Sequence, residues 1–561
     1  MSRPFPQRWM LAAGVWSLAC LAPGAWAQNQ APAEDPRIDA QTGAQKANWP
    51  PATPWDHLHM LLEVDFGDLS KAEFKGVETL RLTPRGRARD TVVLDCGPDI
   101  AIGSVVIPTD PKDPKRGPDG KPLPDTALTY THQDGKLTIT LPEAYTPGRE
   151  VTIRTVYACD FSKNRNAGLN WVKPREDAES ETDKFPVVYS QGQSEDNHRW
   201  FPCHDFPNER LTTEVVARVP KGYEVCSNGR LVGRAPDGKS TVFHWLQDKH
   251  HVNYLVTLVV GKYSIINLDP ERPDARPDMS WRRDPKFRLP ITAYVPVGKE
   301  DAARKGLGST ARMIRTFEEL FDTPYPWDKY TQVLVRGFPG GMENTSATTL
   351  GTFLITASRD TDDLVSHELA HQWFGDLVTC RGWEHIWLNE GWATYMSQLW
   401  FEHRDGRNAY DAGVRGLYDG VIGGDHGMLP DTPGMASRAY RDSWEPFRRS
   451  ANPYGKGASI LAMLRAKLGD DAFFKGVALY IDRHKYTNVV TSDFRRALED
   501  ASGEALEQFF AQWVYRPDVP RLAVEASWDE GAGALTLTAR VARTVARASL
   551  TAGLPGRLNT D

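Results

Sequence analysis

His367 and His371, in the segment HELAH, stand four residues apart. On a helix of about 3.6 residues per turn that spacing puts both imidazoles on one face, one turn apart. Two such rings can grip one metal ion, and the Glu368 carboxylate can turn into the same cavity without being a ligand. Catalytic zinc typically takes about three protein groups and a water, so a third ligand has to come from elsewhere. Glu390, in LNEGWATY, follows His371 by 19 positions, and the intervening GDLVTCRGWEHIWLN is long enough to turn back. His367, His371 and Glu390 then complete a site for one zinc ion. Glu368 is its natural general base, because zinc lowers the pKa of bound water to about 7 and a carboxylate can relay the proton to a departing amine. A buried histidine pair on a core helix is the bland alternative, and it leaves the spacing of Glu390 without a role.

These residues need helices to position them. Thr361, Asp362 and Asp363 open the HELAH segment with a capping hydroxyl and negative charge, and Gly375 is placed to end it. Leu364, Leu369 and Trp373 are available to bury elsewhere on its surface. Glu390 falls at the start of a second amphipathic segment.

The 561-residue chain is too long for one core and divides into about three units. Residues 1–27 read as a cleaved signal peptide, with Arg3 and Arg8 ahead of an apolar stretch that ends in Ala25-Trp26-Ala27, so the protein is expected to be exported to the periplasm or the medium. Cys20 as a lipoprotein cysteine is disfavoured by Ser17, and no later stretch is long and apolar enough to span a membrane. Residues 28–54, rich in Pro, Ala, Gln and Asp, read as a tail or linker. Short alternating segments from 55 to 266 predict a β-sandwich, interrupted by a polar loop over Thr109–Asp125. The stretch NLDPERPDARPDMSWRRDPKFR marks a domain junction. From 267 to 516 apolar residues recur at three- and four-residue spacing, which predicts a mostly helical unit. Alternation returns over 517–561, a short or incomplete β segment. The fold class is therefore multidomain α+β.

A net charge of −6 with no long block of one sign disfavours a nucleic acid partner. Cys96, Cys159, Cys203, Cys226 and Cys380 form no CxxC pair, which excludes a zinc ribbon or a redox motif; buried thiols and one or two disulfides both remain open.

The segments FPGGMENTSATTL, HELAHQWFGDLVT, WLNEGWATYM and NPYGKGASIL, in this order and spacing, resemble the M1 family of zinc aminopeptidases. The resemblance implies a β domain beside a thermolysin-like catalytic domain, with peptides that carry a free N-terminus as substrates. It assigns Glu343 of GGMEN to the substrate's α-amino group, and Tyr454 to a hydrogen bond with the oxyanion of the reacting carbonyl. Gly340 and Gly341 would let a peptide backbone approach closely. Gln191 and Gln193 fall at the amine-contacting positions, with Gln193 where many members carry Glu; Glu195 could restore that charge. His198 and His204 read as structural polar groups. Pro339 departs from the family's first side-chain pocket.

Two other functions fit parts of the pattern. Leukotriene-type epoxide hydrolysis shares Gln in the amine segment, but Arg449 stands where that branch has a second tyrosine. A scaffold that has lost catalysis is opposed by the complete set of ligands, base and tyrosine.

Overall fold

The computed structural model describes residues 37, 46–109, 124–162, 166–178, 180–269, 289–355, 360–424, 433–449, 451–517, 519, 522–531 and 533–541. The expected leader over 1–27 lies outside these residues, as do most of the polar loop after Thr109 and most of the junction.

Alternation in the first half builds sheets. Met60, Leu62 and Val64 on the strand Trp55–Asp65 are buried while their neighbours are more exposed, the period of a strand with one covered face. This strand lies within an eight-stranded sheet, parallel to Arg210–Pro220 and antiparallel to Glu73–Pro84. A three-stranded and a four-stranded sheet share its core through Leu62, Leu82, Leu137, Phe161, Leu169 and Val188. Val187–Gln191 belongs to the four-stranded sheet, and its end carries the chain towards the second domain. The five cysteines named above are all buried free thiols.

A further, five-stranded mixed sheet runs in the order Tyr263–Asn267, Ile291–Pro296, Tyr330–Val335, Ala347–Gly351, Gly341–Met342. Tyr263–Asn267 pairs with Ile291–Pro296, so the boundary expected at 266/267 falls inside a strand of this sheet. Its alternation is indistinguishable from that of the strands before it. Gly341–Met342 is the edge strand, antiparallel to Ala347–Gly351.

The helices are α1 (Glu300–Leu307), α2 (Thr310–Phe321), α3 (Asp362–Ala370), α4 (Trp387–Asp405), α5 (Arg407–Gly424), α6 (Glu445–Arg448), α7 (Gly455–Leu468), α8 (Asp470–His484), α9 (Thr491–Ser502) and α10 (Glu507–Trp513). They pack around Phe317, Phe321, Trp373, Phe374, Trp392 and Phe494. Phe374, just after α3, stacks on Trp392 of α4 with ring centroids 4.2 Å apart, which fixes the two helices that bear HELAH and Glu390.

Three local expectations change. Thr361 does not cap α3: its hydroxyl donates to the Gly306 carbonyl, which binds this helix start to the end of α1. Gly375 does not end the helix, which stops at Ala370; with φ of 140° it turns the chain into the strand Val378–Cys380. Residues 46–54 are not a free linker, because Asn48 donates to the backbone carbonyls of Arg438 and Tyr440. The C-terminal strands Leu522–Asp529 and Ala534–Val541 form a two-stranded ribbon whose first strand is exposed along its whole length. Among the described residues no helix is long and apolar enough to cross a membrane.

Candidate active site and metal centre

α3 and the first turn of α4 bring together the three expected ligands. The His367 and His371 Nε2 atoms lie 3.1 Å apart, and Glu390 Oε2 lies 3.4 and 3.3 Å from them. A tetrahedral ion with bonds of about 2.0–2.2 Å needs donor atoms roughly 3.3–3.5 Å apart, so the set fits zinc. The His371 Nδ1 faces the Phe374 carbonyl at 3.0 Å, which directs the ring proton there and leaves the Nε2 lone pair for a metal. Electrostatics agree. Burial pushes the His371 pKa down, but Glu390, Glu343 and Glu368 outweigh it and hold it at about 10. Burial would raise Glu390, yet His371 and His367 hold it at about 2. The centre is a pocket of negative potential shaped for a cation.

Glu343 and Glu368 face the same ring: one carboxylate oxygen of each and a His371 nitrogen all lie within 4.8 Å of one another. Burial raises Glu368 well above the usual carboxylate range, and its Oε2 has no protein partner. Burial and neighbouring Glu390 push Glu343 to about 7, against the pull of His371. The two glycines of GGMEN differ. A Cβ on Gly341 would lie 2.2 Å from Glu368 Cδ, so this glycine makes room for the general-base candidate. Gly340 has open space where a Cβ would stand, which leaves the edge strand accessible there.

Tyr454 starts α7, and its ring stacks on His367 with centroids 6.1 Å apart. Burial, then Glu390, Glu343 and Glu368, raise its pKa far above that of a free phenol, so it remains a proton donor.

The first domain supplies the other wall. Gln193 Nε2 donates to Glu343 Oε1 at 3.0 Å, whereas Gln191 Nε2 reaches Met342 Sδ at 3.2 Å. Of the two glutamines, Gln193 is thus the one that touches the Glu343 carboxylate. Glu195 does not restore a charge beside Glu343, because it accepts the Trp383 indole N–H at 2.6 Å within a group of buried aromatic rings. His198 pairs with Asp205 and His204 with Asn208, as structural groups. Arg449 is buried and donates to the carbonyls of Gly434, Met435, Ser437 and Ala439, bracing the loop before α6.

Several supporting residues carry no sequence signal of their own. Gln372 Nε2 donates to the Glu343 carbonyl at 3.1 Å while its Oε1 accepts from Ser346 N. Tyr254, from the first domain, hydrogen-bonds Glu343 and also accepts from Asn389 Nδ2. Arg210 crosses the domain boundary fully buried, donating to Thr379 Oγ1 and the carbonyls of Asp376 and His250. The position of Gln372 directly after His371 was the one available clue.

A β domain closed over a helical domain, with two histidines and a glutamate converging beside a third acid, defines a two-domain metalloprotein of the HExxH type. Residues 306–513 match the Peptidase family M1 domain and residues 56–255 the Peptidase M1 N-terminal domain. The chain belongs to peptidase family M1. It is similar to aminopeptidase N of Streptomyces lividans, with 30% identity over 426 residues that cover 72% of this chain and 45% of that protein. Aminopeptidase M1 of Arabidopsis thaliana is 30% identical over 356 residues, 60% of this chain and 38% of that protein. The match thus spans less than half the length of these relatives. An M1 zinc metallopeptidase from Deinococcus radiodurans has a similar fold, with a TM-score of 0.64 at 23% identity over 84% of this chain and 96% of that one. A mutant form of that peptidase was crystallised with a Tyr-Ser-Ala substrate. Family and donor set together make zinc the cofactor of this centre.

Proposed function

We propose that the protein is an aminopeptidase that hydrolyses the first peptide bond of peptides with a free N-terminus. The observation that carries this reading is the place of Glu343: a buried carboxylate, tied to Gln193, within 4.8 Å of a Glu368 oxygen and a His371 nitrogen. Only one residue of a peptide fits between an acid that grips an ammonium and a base that works on the carbonyl beside it, which makes the product a single amino acid.

When bound by His367, His371 and Glu390, zinc supplies an acidified water and polarises the scissile carbonyl. Glu343 pairs with the α-ammonium, an interaction strengthened by burial, and Gln193 holds that carboxylate in place. Gly340 and Gly341 on the edge strand leave room for the peptide backbone to extend alongside. Glu368 takes a proton from the attacking water and passes it to the leaving amine. Tyr454 donates a hydrogen bond to the oxyanion that develops on the carbonyl carbon's oxygen. The arginine at 449 is spent on backbone carbonyls and offers nothing to an epoxide.

A peptide with a free N-terminus should be cleaved and its N-acetylated twin spared, and Glu343→Ala should erase most of that difference. Equal cleavage of both peptides by the unmodified protein would refute the exopeptidase reading. We further propose export through the leader at 1–27, supported by its charge and apolar pattern; fractionation of a producing cell should find a mature chain beginning near Gln28 outside the cytoplasm.

A further inference from the structure

Away from the metal centre, a cavity of about 290 Å³ lies between residues 49–53 and the catalytic domain. That volume is close to the lower end of small-molecule sites, roughly 300 Å³. Its roof is Trp49, Pro50 and Pro51, and its floor is Arg381, Glu384, His385 and Arg438. The roof is fastened, because Asn48 Nδ2 donates to the Tyr440 carbonyl at 2.7 Å and Asn208 Nδ2 to the Pro51 carbonyl at 2.7 Å.

The lining has a definite charge. Glu384 is its one acid, and the Oε1 atom already accepts from Arg438 Nε at 3.0 Å. Its Oε2 is buried without a hydrogen-bond partner, 2.5 Å from where a Cβ on Gly382 would stand. Arg438 also stacks over the Trp49 ring at 3.9 Å. Arg381 is exposed and has no acidic partner among the described residues. The lining thus holds two guanidiniums against one carboxylate, beside one indole and two pyrrolidine rings.

We propose that this cavity is a second ligand site, which takes a small apolar monocarboxylate the size of one amino acid, its carboxylate on Arg381 and its apolar body against Trp49 and Pro50. An occupant would touch Arg438 as well as Glu384 and His385, whose turn leads into α4 and Glu390. The inference does not rest on the aminopeptidase reading.

The test is calorimetric titration of the zinc-loaded full chain with N-acetyl-leucine and with N-acetyl-leucinamide. Neither offers a free amine to Glu343, and only the first carries a carboxylate. N-acetyl-leucine should bind, with the amide about tenfold weaker, since a guanidinium–carboxylate pair is the stronger bond. Trp49→Ala and Arg381→Ala should each weaken N-acetyl-leucine by about tenfold without lowering the melting temperature, because both side chains are exposed. No binding, equal binding of the two compounds, or binding undiminished in both variants would overturn the proposal. The last result would place the carboxylate on the metal centre instead.

Discussion

Gly391 of α4 and Gly457 of α7 meet backbone to backbone: a Cβ on Gly391 would lie 2.9 Å from Gly457 Cα, and one on Gly457 2.8 Å from Gly391 Cα. The contact sets the crossing of two helices, one beginning beside Glu390 and the other at Tyr454. Gly457→Ala should push α7 outward and carry the phenol with it. We expect kcat to fall about tenfold or more with KM little changed, and stability to fall by roughly 1–3 kcal/mol. Steady-state kinetics with a zinc assay checks this; an unchanged kcat would show that Tyr454 holds its place without the helix contact.

Gly341 and Gly340 should respond oppositely to the same methyl group. Gly341→Ala drives a Cβ into Glu368 and should cut kcat by about a hundredfold while the metal stays bound. Gly340→Ala meets open space and should cost the fold well under about 1 kcal/mol. Any loss it causes should appear in KM for peptides, where the substrate backbone passes.

Arg210 ties the domains together through Thr379 Oγ1 and the carbonyls of Asp376 and Thr487 on one side and of His250 on the other. Arg210→Met should destabilise by roughly 3–5 kcal/mol, since it removes several charged hydrogen bonds and leaves buried acceptors unmatched. Urea unfolding should resolve two transitions in the variant where the parent shows coupling of the domains. A single transition at unchanged midpoint would contradict the role given to Arg210.

The buried neutral histidines contribute stability that acid removes. Burial lowers His57 and His251 from 6.5 to about 3 and His385 to about 4. Each therefore binds its proton more readily in the unfolded chain. Their contribution is full above pH 6.5 and is lost as pH falls towards 4, by about 1.4 kcal/mol per unit for each ring. Buried Glu195 and Glu343, both raised to about 7 chiefly by burial, work in the opposite sense from pH 7 down to about 4.5. Between pH 6.5 and 4.5 the melting temperature of His251→Gln should therefore change less in the acid-destabilising direction than that of the parent. A parallel change in the variant would remove His251 from the account.

The metal centre was legible because helical periodicity turns a four-residue spacing into a shared face, and because Glu390 sits at the start of its helix. Glu343, Gln193 and Tyr454 were reachable only through the resemblance of whole segments. What stayed hidden depends on partners far along the chain. Gly341 is small because Glu368, 27 positions later, lies on it. Thr361 looked like a cap, but Gly306 offered its hydroxyl a better acceptor. Glu195 looked like a spare charge until the Trp383 indole claimed it. Residues 46–54 looked like a tether because Pro and Ala show no period, yet Asn48, Asn208 and Arg438 anchor them. Local pattern carries no record of such pairings.

The strand Thr487–Val489 runs parallel to Val378–Cys380, between HELAH and Glu390, and Arg210 reaches across to the Thr487 carbonyl. This gives the order of synthesis a meaning. A nascent chain that has emerged as far as residue 390 already owns all three ligand side chains, but neither the phenol nor the strand that braces the turn between them. The parts of the metal centre and its brace are therefore all present only once the chain has been made through residue 489, almost the whole catalytic domain.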